Sequence, residues 1–144
     1  MGIDRLLDIS LFAIANLGNL LLIGIFLARA KGHPRVEWVL GLIFVSLILP
    51  VAVAVILNAT RKREWWTVAL PLLLILFCLV ELLLDYILKL DFRNTALRWP
   101  YIALYYLALL GMIGYSFSLG KAYGFITLST YFLGLLATWY GHSR

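Results

Sequence analysis

At 144 residues, 64% of them hydrophobic and 13% charged, the chain departs far from the about 45–50% and 25% of ordinary soluble domains, and a soluble fold of this size has no way to cover so much apolar side chain. The net charge of +5 sits in short stretches between apolar runs rather than on one face, which points to anionic headgroups as counter-ions and excludes a nucleic-acid-binding surface. The single cysteine, Cys78, excludes an internal disulfide and a cysteine metal site.

A hydrocarbon core of about 30 Å calls for roughly 20 apolar residues as helix, and helix is the open-chain structure that satisfies its own backbone in lipid. The expected fold class is therefore all-α: one transmembrane domain over residues 1–144, a polytopic bundle of five helices at 6–28, 36–58, 66–88, 99–119 and 125–140, or four if the last run does not span. A barrel is excluded because runs such as Leu70 to Leu76 do not alternate.

The first run, Leu6 to Ala28, is preceded by Asp4, Arg5 and followed early by Asp8. It lacks the clean positive start of a cleaved signal and reads as a retained span. Asn16 and Asn19, three apart near its middle, share one face. Amides in lipid act as interhelical glue; the functional alternative has them meeting a carboxylate on the third run. The first loop, Arg29 to Arg35, is broken by Gly32 and Pro34.

The second run, Val36 to Asn58, contains Pro50, which predicts a kink. Arg61-Lys62-Arg63 marks the next loop, and Trp65 and Trp66 mark the return to the interface. The third run, Trp66 to Leu88, carries Pro71 near its start and then Glu81 and Asp85. A spacing of four puts both carboxylates on one α-helical face, and a charge at that depth costs about 2.5–3.5 kcal/mol on insertion scales. That face is expected to look into the bundle or into water. Two carboxylates this close need not both ionise, which suits a proton or cation pathway. The structural alternative is an ion pair of Asp85 with Lys89, four residues on, in the favourable acid-before-base order.

The fourth run, Trp99 to Leu119, opens with Pro100 in a first-turn position. Tyr101, Tyr105 and Tyr106 read as an interfacial belt, and Gly111, Gly114 and Ser118 as a packing face. A joint is expected over Gly120 to Gly124; its Gly-x-x-x-Gly spacing is set aside as a turn. The last run, Phe125 to Tyr140, has about 16 residues, some 24 Å of helix. Thr127, Thr130, Tyr131, Gly134 and Thr138 form a polar stripe on it, for packing or for lining a pore.

With five spans, basic residues divide seven to five in favour of the side holding Arg29, Lys31, Arg35, Lys89, Arg93, Arg98 and Arg144. That places the N-terminus outside and the C-terminus in the cytoplasm. His33 and His142 are the only histidines, and no hydrolase, zinc, nucleotide or dinucleotide motif occurs. No enzyme activity, cofactor or metal is expected. The expected partners are the bilayer and either further copies of the chain or another membrane protein. The first functional expectation is a non-enzymatic subunit or scaffold that packs laterally. The alternative is a proton- or cation-linked transporter or channel using Glu81 and Asp85.

Overall fold

The computed structural model describes residues 2–87, 96 and 98–143, without the side chains of residues 85, 86 and 141–143. Its elements are α1 (Ile3–Ala30), α2 (Pro34–Ser46), α3 (Ile48–Thr60), α4 (Trp66–Glu81) continued by a π-helical segment (Leu82–Ile87), α5 (Arg98–Leu119) and α6 (Lys121–Ser143). Among the described residues there is no strand. Five stretches are long and apolar enough to cross a membrane: Ile3–Ala30, Pro34–Thr60, Trp66–Leu84, Arg98–Leu119 and Lys121–Tyr140. The protein is a multi-pass membrane bundle, with large apolar side chains such as Leu49, Ile56, Leu83 and Leu136 turned outward to lipid.

The second span is two helices because of Pro50. A proline has no N–H for the carbonyl four residues back, here Ser46, and its ring collides with that group. The helix ends at Ser46 and restarts at Ile48, with the Leu47 N–H donating to Phe44 O at 3.1 Å. Pro71 raises the same problem one span later, at the carbonyl of Thr67. Here Asn58 supplies the missing donor, its Nδ2 standing 3.0 Å from Thr67 O. In lipid a freed carbonyl needs such a partner.

The joints are tighter than the sequence implies. Gly32 closes α1 with φ +71°, and the N–H groups of Gly32 and His33 reach back to Arg29 O and Ala28 O. This is the left-handed helix stop that glycine adopts without a Cβ penalty. The loop after α3 repeats it with a non-glycine residue, Lys62 at φ +55°, and the Arg63 N–H bonds to Asn58 O at 3.1 Å. That stop turns Arg63 back onto the bundle.

The last joint shrinks to Gly120 alone, at φ +156°. Residues 121–124, expected as loop, already belong to α6. The helix has 23 residues and is about 34 Å long at 1.5 Å per residue, enough to span where 16 residues fell short.

Helix α1 packs along α6 and α2, α4 along α5 and α3, and α5 along α6. Lipid tails are as apolar as the helix surfaces, so close packing and polar contacts hold such a bundle together. Phe44, Phe77, Leu11, Val51, Tyr115 and Cys78 form the buried centre. A Cβ on Gly18 would lie 3.4 Å from the Phe44 ring, and one on Gly111 would lie 3.3 Å from Leu73, so these small residues set the approach of α1 to α2 and of α5 to α4.

Candidate functional site

Polar groups inside the bundle fall into three sets, ordered along the membrane normal. The first lies at the end where α1 begins and α3 meets α4. Asp8 is buried on α1, and Arg63 forks onto it, with Nη1 2.8 Å from Oδ1 and Nη2 3.1 Å from Oδ2. Tyr115, fully buried on α5, donates its hydroxyl to the same Oδ1 at 2.7 Å. Arg63 Nη1 also donates to Asn58 Oδ1 at 3.0 Å, so Asn58 serves both the guanidinium and the carbonyl freed by Pro71. The hydrogen bond to Asp8 raises the Arg63 pKa above its ordinary value, with burial acting in the opposite direction. Nearer the surface, Arg61 Nε meets Asp4 Oδ1 at 2.6 Å and Arg5 donates to the Tyr123 hydroxyl at 2.7 Å. Sequence reading placed Asp8 only in a signal-peptide argument and Arg61 to Arg63 only in a loop. The available signal was an acidic residue one turn inside a span, which calls for a partner.

The second set is a seam between α1, α5 and α6 near mid-membrane. Asn16 Nδ2 donates to Thr127 Oγ1 at 3.0 Å, Asn19 Nδ2 to Thr130 Oγ1 at 2.8 Å, and Thr130 Oγ1 to Asn16 Oδ1 at 2.9 Å. Thr127 Oγ1 lies 2.8 Å from Ser116 Oγ on α5. The amides reach the threonine stripe of α6 rather than Glu81, and the faces that suggested lateral packing are joined within the chain. Among the described residues, no buried side-chain nitrogen or oxygen lacks a partner. Intramembrane hydrogen bonds average about 0.6 kcal/mol and reach about 1.7 kcal/mol. Asn19→Leu removes two hydrogen bonds from Nδ2, to Thr130 Oγ1 and to Thr127 O, and is expected to destabilise by about 1–2 kcal/mol in a reversible unfolding titration in mixed micelles. Leu20→Ala, on the lipid side, is the matched control and should leave the transition in place.

The third set lies at the opposite end, where α1 finishes and α5 starts. A cavity of about 340 Å³ is bounded there by α1, α2, α4, α5 and α6, within the range of small-molecule sites. Its walls include six aromatic residues: Phe26, Phe44, Phe77, Tyr101, Tyr105 and Tyr106. Phe77 contacts the rings of Tyr101 and Tyr105 at centroid distances of 5.4 Å. Glu81 on α4 lines the cavity and accepts a hydrogen bond from the Tyr101 hydroxyl. At the rim stand Arg29, paired to Glu37 at 2.8 Å, and Arg98, whose guanidinium lies 4.9 Å from the Trp99 ring centroid. Thr138 contributes to the wall, while Tyr131 lines a much smaller void beside Asn19 and Gly134.

The tyrosines read as an interfacial belt thus turn inward. Tyr101 and Tyr105 are four apart, one helical turn, and share the face that α5 presents to α4. Directly after Glu81 a π-helical segment begins at Leu82. Such segments change the phase of a helix and occur often at functional sites. The side chain of Asp85 and the whole of Lys89 lie outside the described residues. Among the described residues, no three His, Cys, Asp or Glu side chains gather as a metal site.

No family model matches this chain, and neither a curated protein nor a solved structure matches it. The chemistry of the cavity therefore carries the functional reading by itself.

Proposed function

We propose that this protein is a small proton- or cation-linked transporter with the Glu81 cavity as its binding site. One observation carries the reading: a cavity lined by Arg29 and Arg98 exposes, inside the third span, a carboxylate held by Tyr101. Ionisable groups within a membrane span face the bundle interior or a water-filled cavity and mark ion and proton pathways. At the opposite end, Asp8, Arg63 and Tyr115 fill the bundle, so access is one-sided, as a carrier requires in each of its end states. On the seven-to-five division of basic residues the cavity mouth would face the cytoplasm. The lateral-scaffold reading loses its polar surface, because Asn16, Asn19, Thr127 and Thr130 bond to one another inside the chain.

The test is flux in proteoliposomes loaded with a pH-sensitive dye, driven by a proton gradient against sodium or potassium. Wild type is expected to dissipate the gradient, and Glu81→Gln to slow it by at least about tenfold while eluting and melting as wild type does; general acid–base groups contribute about 10²–10⁴-fold where protons move. A wild-type protein with no flux, recovered with a stoichiometric foreign subunit by native mass spectrometry, would replace this reading with the scaffold.

A further inference from the structure

The cavity carries more information than the presence of a carboxylate. Three kinds of group surround one space: a carboxylate at Glu81, aromatic rings on several sides, and guanidinium groups at the rim. A bare metal ion uses only the first, and oxygen-rich ligand sets suit it better than aromatic walls do. An organic ammonium uses the first two, since ring faces attract cations and a carboxylate accepts the N–H donors. Arg98 remains. It is exposed at the rim and, among the described residues, makes no ion pair, and Arg29 beside it is already matched by Glu37. A purely cationic ligand would use Glu81 and leave Arg98 without a counter-charge among the described residues.

Helix geometry orders the two ends along α5. Arg98 and Tyr101 are three apart on α5 and both line the cavity, so Arg98 stands one turn, about 4.5 Å of rise, outward from the residue that holds Glu81. A ligand that reaches both groups therefore carries its anionic end outward of its ammonium. Ile102, next on the same helix, is half-exposed and also lines the cavity, giving an apolar continuation toward lipid.

We propose that the Glu81 cavity binds a zwitterion with an ammonium group and a phosphate a few bonds apart, its ammonium among the rings at Glu81 and its phosphate at Arg98. The form that a membrane supplies is the headgroup of an aminophospholipid, entering amine first with its acyl chains left in the bilayer past Ile102. A soluble phosphoethanolamine presents the same chemistry. The inference rests on the reading of this cavity as the binding site, and it names the class of substrate.

The experiment is a native mass spectrometry titration of the intact purified chain with dioleoyl phosphatidylethanolamine and, separately, with dioleoyl phosphatidylglycerol, which keeps the phosphate and lacks the amine. Wild type is expected to hold the amine lipid at least about tenfold more tightly, the worth of one charge-assisted hydrogen bond. Glu81→Gln should erase that preference, and Arg98→Ala should weaken both lipids. Equal affinity for the two lipids in wild type overturns the proposal and needs no variant to fold. An unchanged preference in Glu81→Gln overturns it as well. Displacement of the amine lipid by soluble phosphoethanolamine supports the headgroup alone as ligand; retention of the selective binding without displacement supports the lipid. Equal lipid affinities together with Glu81-dependent proton flux would remove this substrate class and leave the transport reading intact.

Discussion

Asp8→Ala is expected to destabilise the folded bundle by about 3 kcal/mol. Removing one partner of a buried ion pair costs about 3–5 kcal/mol because the other charge is left without compensation. The lower figure applies because the Asp8 and Arg63 side chains retain 12% and 15% of their exposure, so some water reaches them. The variant also strips the Tyr115 hydroxyl of its acceptor. The pair itself contributes far less than that loss, since both charges were desolvated to form it. Replacing both partners, Asp8→Leu with Arg63→Met, should therefore recover most of the stability. A double-mutant cycle measured by reversible unfolding in mixed micelles checks this. If the Asp8→Leu and Arg63→Met losses simply add in the double variant, the two side chains do not act as a unit.

Gly124→Ala is the second large effect, and its origin is steric. A Cβ at Gly124 would lie 2.1 Å from Phe117 Cδ1 and 2.2 Å from Phe117 Cγ. Those atoms are the root of the ring, so rotation of its tip gives no relief. Forcing extra volume into a packed contact costs about 1–3 kcal/mol, and Phe117 is also held edge-on by Phe125 at 5.3 Å. Phe117→Ala alone loses that ring contact. Combined with Gly124→Ala it removes the collision, so the glycine substitution should become nearly neutral in that background. Melting of the four proteins in one detergent measures it. An equal loss from Gly124→Ala with and without the Phe117 ring would show that the Phe117 clash does not set the cost, since helix propensity by itself favours alanine.

The number of spans and their approximate ends were legible because they depend on one quantity, apolar length against bilayer thickness. Asn16, Asn19 and the threonine stripe were legible as faces because helical spacing is local. Their pairing was not, since it depends on which helices become neighbours, and α1 and α6 are joined by partners 111 residues apart. The cavity was half visible. Glu81 stood out as a carboxylate in lipid, while Tyr101 and Tyr105 were hidden by a general preference of tyrosine for interfaces. The Asp8 and Arg63 pair escaped for a related reason: each residue alone had an adequate explanation near a membrane surface. Only Lys62 in a left-handed conformation brings Arg63 round to face Asp8.

That pair also sets a clock. Asp8 leaves the ribosome 55 residues before Arg63 and 107 residues before Tyr115. At about 5–20 residues per second, the carboxylate waits roughly 3–11 s for the guanidinium and about 5–21 s for the hydroxyl. During that interval α1 carries a solitary acid just inside its membrane boundary, where staying near water is the favourable choice. Of the helices described, α1 is made first and anchored last, its depth in the bilayer settling only as Arg63, Tyr115 and finally α6 arrive.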